Sequence, residues 1–358
     1  MLKKDQRQLK VGVLGAGPIA QAAHFDSASK ARNVDLYAIC DVAEDLLSRM
    51  ADTYAPRKTF SSYDEMLDDP EIDAVVIATS DAFHVAAAAA AIAAGKHVLC
   101  EKPLGISVDE VEDLRNAVKA NNRILQVGSM KRFDAGLQSA KAFIDNGMGE
   151  MLALKAWYCD STHRYAVTDA VQPLIIRSQS ARKPAVDPKS DLERYFMLAH
   201  GSHLLDTARY LGGDIVALEA RLSHRFGAYC WFVDVDFANG ALGHLDLTIA
   251  VRMDWHEGFQ IYGENGSIIG KTYNPWLFKS SDVDIFDEAI GSTTRVLGPD
   301  GHFYRRQLEA FADTILNNAP IAGADIDDGV AAVRAMAAIA QSVRTRKPVE
   351  LASVSGAV

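Results

Sequence analysis

The chain carries two kinds of hydrophobic pattern, one after the other. From Leu9 to about residue 128, short unbroken apolar runs alternate with segments of helical period. The runs at Val11, Val13 and Leu14, at Val34 to Ile39, at Ala74 to Ala78, at His97 to Cys100 and at Ile124 to Val127 predict buried strands. Helices are expected between them, at Ile19 to Lys30, Glu44 to Tyr54, Ser62 to Leu67, Val85 to Ala94 and Val108 to Asn121, with Gly95 stopping the fourth. Strand and helix in alternation give an α/β fold with a parallel, doubly wound sheet. In such a sheet, ligands bind at the carboxyl ends of the strands. Gly15, Asp41, Thr79 to His84, Glu101 to Pro103 and Ser129 to Phe133 all follow strand ends and should gather on one edge.

Beyond residue 130 the pattern changes. A helix is expected from Ala135 to Asn146, stopped by Gly147. Strands follow at Met151 to Tyr158, Ala217 to Ser223, Cys230 to Phe237, Ala241 to Val251, Phe259 to Gly263 and Ser267 to Lys271. Several alternate apolar with polar, and Asn239-Gly240 and Asn265-Gly266 are hairpin turn pairs. A second, largely antiparallel sheet is the consequence. Helices at Phe303 to Asn317 and Asp327 to Thr345 close the chain. Between the two patterns, Ser161 to Arg194 shows no period, which marks a functional loop or a solvated insertion. Its Arg164, Arg177, Arg182 and Lys183 could meet an acidic or sugar substrate.

The first strand runs straight into a glycine turn, in which Gly15, Gly17 and Ala20 are spaced G-x-G-x-x-A. Gly15 permits the tight turn, and Gly17 lets a pyrophosphate approach the backbone. Ala20 lets the new helix pack closely on the sheet. Pro18 and Ile19 open that helix, whose free N–H groups and positive dipole end face the phosphates. Asp41 follows the second strand about twenty residues on, where a carboxylate binds the adenosine ribose. Val42 and Ala43 come next rather than Arg or Lys, which favours NAD and leaves NADP open. The remaining cofactor contacts expected at strand ends are Thr79, Ser80, His84, Glu101, Lys102 and Arg132. The division that follows is an NAD(P)-binding domain over 1–128 and a substrate-binding domain over 129–358, with the closing helices free to pack back on the first.

Composition adds exclusions. With 358 residues, 49% of them hydrophobic, 23% charged, and a net charge of −10, the chain suits neither nucleic acid nor an anionic membrane surface. Cys40, Cys100, Cys159 and Cys230 form no close pair, so reduced thiols in a cytoplasmic protein are expected. The opening MLKKDQRQLK lacks a signal-peptide core, and Val85 to Ala94 is too short to span a bilayer.

Two places offer proton chemistry. Glu101-Lys102-Pro103 follows a strand end, where Lys102 could reach the nicotinamide end of a cofactor. A positive ring and partial burial would both lower its pKa toward a base's range. Otherwise it is an exposed loop lysine. The second place is His200-Gly201-Ser202-His203-Leu204-Leu205-Asp206, at the start of a helix that Gly212-Gly213 stops. His203 could relay a substrate proton, or it could be a core or capping histidine. His200, His203 and Asp206 could hold a metal, but no further ligand cluster accompanies them and no metal is expected. Ser202, His203 and Asp206 are too close on one helix for a nucleophilic triad.

Taken in order, VGVLGAGPIA, CEKPLG at 100 to 105, VGSMKRFD at 127 to 134, GMGEML at 147 to 152, GSHLLD at 201 to 206 and the closing AFADTI, DDGVAAVRAMAAIAQSV and KPVEL resemble the Gfo/Idh/MocA oxidoreductases. The resemblance implies a Rossmann domain followed by an α/β domain whose open sheet often builds homodimers or homotetramers. It implies hydride transfer between nicotinamide and a sugar, cyclitol or related alcohol. By the same resemblance Lys102 is the substrate-binding, proton-handling lysine and His203 the catalytic histidine, while Arg132 and Phe133 border the pocket. Many members carry Asp four residues before the histidine; here that position is Ala199, so His200 could substitute. Two alternatives stay open: NAD-assisted glycoside hydrolysis, and a non-catalytic dinucleotide-binding regulator.

Overall fold

The computed structural model describes residues 7–161 and 175–358. Arg164 lies outside the described residues. The chain divides into two compact units. The first holds the chain to Met130, the segment ending at Ser190, and Gly301–Val330. The second holds Lys131 to Ser161, Asp191–Asp300 and Ala331–Val358.

The first unit is built on a sheet of β1 (Leu9–Leu14), β2 (Val34–Cys40), β3 (Lys58–Phe60), β4 (Ala74–Ile77), β5 (His97–Cys100) and β6 (Leu125–Val127). Helices α1 (Phe25–Lys30), α2 (Glu44–Tyr54), α3 (Tyr63–Leu67), α4 (His84–Ala93) and α5 (Val108–Ala120) connect them. The strand order is β6-β5-β4-β1-β2-β3, all parallel, with Ala324–Asp325 added antiparallel at the β6 edge. The sequence had offered no strand at Lys58–Phe60, which is a short, polar edge with two of its three residues exposed. A π-helical turn, Ala20–His24, precedes α1 in the segment read as one helix. Leu9, Val11 and Val13 of β1 and Ala74 and Val76 of β4 are fully buried or nearly so, which is why their runs read as continuously apolar. The helix Phe303–Asn317 packs on α1, β1 and β2 through the buried Leu308 and Phe311.

In the second unit, α6 (Ala135–Asn146) precedes a sheet of β7 (Met151–Ser161), β8 (Ile215–Arg225), β9 (Ala228–Phe237), β10 (Leu242–Val251), β11 (His256–Gly263), β12 (Gly266–Thr272), β13 (Asp282–Asp287) and β14 (Ser292–Arg295). The order is β14-β13-β12-β11-β7-β10-β9-β8, closed by the short strand Val349–Glu350. Every pairing is antiparallel except β7 with β10. Both hairpins expected at Asn239-Gly240 and Asn265-Gly266 form, the first with Gly240 at φ +87°.

Register sorts the two faces of this sheet. Trp231, Leu247, Tyr158 and Glu257 lie opposite one another across β9, β10, β7 and β11 on the covered face. The other face exposes Phe232, Leu242, Ile269 and Phe286 among charged residues. It is the surface on which the resemblance expects copies of the chain to pair.

Candidate functional site

In the first unit the turn after β1 is fixed by its glycines. Gly15 has φ +96°, and a Cβ there would stand 2.9 Å from the Ala78 carbonyl oxygen. Gly17 is different: nothing lies within 4 Å of the position its Cβ would take. The protein therefore needs Gly15 for its own packing and leaves space at Gly17, as a pyrophosphate site requires. Pro18 and Ile19 start the helix, and Ala20 is buried against the sheet. Asp41, at the end of β2, accepts from the Ala16 amide at 2.7 Å and from the Ala43 amide at 2.8 Å. Its carboxylate is thus tied to the glycine turn before any ligand arrives. A carboxylate has about four acceptor positions, so two amides leave room for ribose hydroxyls.

Thr79 and Ser80 follow β4, and His84 begins α4. The His84 ring spans two carbonyls, Pro103 O at 2.7 Å from Nδ1 and Thr79 O at 3.1 Å from Nε2. That joins the turn after β4 to the turn after β5. Lys102 is half-buried, and its peptide bond to Pro103 is cis. Glu101, expected at the cofactor, instead turns its side chain inward. It is 5% exposed and lies 2.8 Å from His24 Nε2, while its other oxygen accepts from the Lys102 amide at 3.2 Å. Burial alone would raise the Glu101 pKa; the His24 bond and nearby positive charge outweigh it and hold the carboxyl below its ordinary value. Tyr304 meets His24 edge-on at 5.7 Å, and its phenol is raised well above its ordinary pKa by burial and by Glu101.

The second unit gathers its own polar group on the covered face of the sheet. Tyr158 and Asp160 stand two residues apart on β7 and so share that face. The helix Ser202–Gly212 packs on β7 and β10, preceded by a π-helical turn, Met197–Gly201, that carries His200. His200 Nδ1 lies 3.3 Å from the Tyr158 hydroxyl and 3.6 Å from Asp160 Oδ2, the latter an ion-pair distance. A carboxylate only accepts, so Asp160 can meet Nδ1 only when that nitrogen carries a proton. The Tyr158 ring also lies parallel to the His203 ring, 5.9 Å away at 4°. Lys131 sits 4.6 Å above the Tyr158 ring and pairs with Glu257. Burial of that pair pulls Lys131 down and Glu257 up.

Arg132 and Phe133 do not present free side chains here. Arg132 donates through Nε at 3.1 and 3.2 Å and Nη2 at 2.8 Å to Asp206, and its guanidinium stacks 5.2 Å from the Tyr210 ring centroid. Phe133 is buried. Arg132, expected at the cofactor or substrate, is thus engaged in a buried ion pair that ties it to the helix bearing His203. Because Asp206 serves Arg132, the metal alternative loses its third ligand. Among the described residues, no three His, Cys, Asp or Glu side chains are grouped to hold a metal ion.

Comparison with known proteins agrees with the order of the two folds. Residues 9–129 match the NAD-binding Rossmann fold of an oxidoreductase family, and residues 196–351 match the C-terminal alpha/beta domain of the same family. The chain belongs to the Gfo/Idh/MocA oxidoreductase family. Relatives include the myo-inositol 2-dehydrogenase of Thermotoga maritima, 25% identical, with 97% of this chain and 100% of that protein covered. Inositol 2-dehydrogenase 2 of Saccharopolyspora erythraea is 29% identical, with 96% of each covered. Among solved structures, levoglucosan dehydrogenase in complex with NADH superimposes with a TM-score of 0.77 at 22% identity, covering 96% of this chain and 99% of that one.

As a Gfo/Idh/MocA oxidoreductase the chain is an NAD-binding enzyme of the dehydrogenase type. The family position at Ala199 lacks its carboxylate, yet a carboxylate does meet a histidine here: Asp160, from β7, beside His200. Sequence reading missed Tyr158, Asp160, Lys131 and Glu257. The signal was the alternation of β7, which continues past Tyr158 and puts Asp160 on the same face.

Proposed function

We propose that this chain is an NAD-dependent dehydrogenase of a polyhydroxylated carbon compound, a sugar, cyclitol or sugar derivative, with NADP as a weaker alternative. The observation that carries this reading is Asp160 beside His200 in a cluster with Tyr158 and the neighbouring His203. A histidine beside a carboxylate is a group of the kind that moves a hydroxyl proton in general acid–base chemistry. Full-length relatives named inositol dehydrogenases support the substrate class.

In this reading Gly15, Gly17, Ala20 and Asp41 hold NAD, which when bound accepts the hydride from the substrate carbon. Thr79, Ser80 and His84 shape the same strand-end edge. Lys102 holds the substrate oxygen and shares its proton. The resemblance makes His203 the catalytic histidine, and His200, beside Asp160, is the second imidazole of its unit. Lys131 and Glu257 fix the Tyr158 ring that both histidines touch.

A screen of sugars, cyclitols and sugar acids, followed by NADH absorbance with NAD or NADP supplied, tests the reading. At least one polyol is expected to give net NADH. In Lys102→Ala, cofactor affinity should persist while turnover falls by about 100-fold or more, the range for a general acid–base group. Near-normal turnover in that variant would remove Lys102 from the chemistry. Hydrolysis of a glycoside without net NADH would replace the reading with NAD-assisted hydrolysis.

A further inference from the structure

The aperiodic segment supplies something the family match does not assign. A stretch of it, Ile176 to Arg182, belongs to the first unit and is attached there at three places. Ile176 exchanges two hydrogen bonds with Gln21: its carbonyl accepts from Nε2 at 2.9 Å, and its amide donates to Oε1 at 2.9 Å. The same Gln21 side chain donates to the Ala16 carbonyl in the glycine turn at 2.8 Å. Ser178 Oγ donates to Asp45 at 2.7 Å, in the first turn of α2. The Arg182 guanidinium lies over the Phe83 ring at 4.6 Å, in the short helix that follows β4. Ile176 and Ala181 also pack against the core of this unit.

The sheet order gives these attachments their meaning. Asp45 follows β2 and Phe83 follows β4, while β1 and its glycine turn lie between those two strands. From β2 to β4 is two strand spacings, about 10 Å. The chain from Ser178 to Arg182 can extend to about 14 Å, so it reaches from one side to the other. A dinucleotide on this edge places its adenosine at the β2 carboxylate and its pyrophosphate at the β1 turn. The segment bridges the two elements flanking that place.

We propose that Ile176 to Arg182 is a strap across the adenosine half of the NAD site, adding contacts on its open side and slowing release of the cofactor. Gln21 links the strap to the turn that receives the pyrophosphate, so strap and turn act as one binding element. The inference rests on NAD binding and not on the choice of substrate; failure to oxidise any polyol leaves it standing.

The test is NADH release by stopped-flow fluorescence from the full chain and from Ser178→Ala/Arg182→Ala, with thermal unfolding followed in parallel. Release from the variant is expected to be about tenfold faster, with affinity weakened to match and the unfolding temperature unchanged. An equal or slower release rate overturns the proposal. If the variant does not fold, hydrogen exchange on the unaltered chain decides. Amides between Ile176 and Arg182 should gain protection when NADH is added, and unchanged exchange there overturns the proposal.

Discussion

Glu101 is a carboxylate kept away from water within one residue of the proposed catalytic lysine. Its partner is His24, 2% exposed and itself inaccessible to solvent. Because its folded pKa lies below the ordinary value, its contribution to stability is present above about 4.3 and fades as pH falls from there through the folded value. Removing one partner of a buried pair strands the other charge and costs about 3–5 kcal/mol. His24→Ala should lose stability of that order in urea unfolding at neutral pH. The deficit should shrink in acid, where Glu101 protonates in both proteins. A deficit constant across pH would show that packing, not charge, is lost. At this scale the sequence was informative wherever backbone geometry dictates the residue: Gly15 and Gly17 could be assigned by spacing alone. It was uninformative where a side chain could turn either way. Glu101 and Arg132 follow strand ends as expected, yet their charges go to His24 and Asp206. No local pattern encodes a partner 77 or 74 residues away.

Among elements, the strands of the first sheet were legible because burial on both faces makes them apolar without interruption. β13 and β14 were not, for the opposite reason. Asp282–Asp287 is half acidic with its alternation broken at Ile285-Phe286, and Ser292–Arg295 is exposed throughout, so neither stands out from a loop. The ends of β7 were similarly obscure, because Cys159, Asp160 and Ser161 are polar or small although the ladder with β10 extends to Ser161. The closing helix Phe303–Asn317 was read with its bounds intact and left free to pack back on the first domain, but the elements it meets were not named. It packs on α1, β1 and β2, far from it in sequence, with Phe311 fully buried there. Phe311→Ala should therefore destabilise the nucleotide-binding unit by about 3–5 kcal/mol, the cost of emptying a large core site. Denaturant unfolding monitored by loss of NADH binding checks this. A change under 1 kcal/mol would mean that the helix is not integral to that unit.

For the whole molecule, the two sheet types were evident from the chain alone, and both family domains match in the expected order. Among the described residues no helix is long and apolar enough to cross a membrane. All four cysteines are free thiols. The account of function depends on NAD lying against the glycine turn with its ribose on Asp41. Calorimetric titration with NAD and NADP, on the unaltered chain and on Asp41→Ala, measures that directly. The unaltered chain should take up NAD more tightly than NADP. The variant should lose about tenfold or more in NAD affinity, the worth of a hydrogen bond to a charged group, and with it the preference. If neither dinucleotide binds the unaltered chain, or if Asp41→Ala binds both as the unaltered chain does, the account is contradicted.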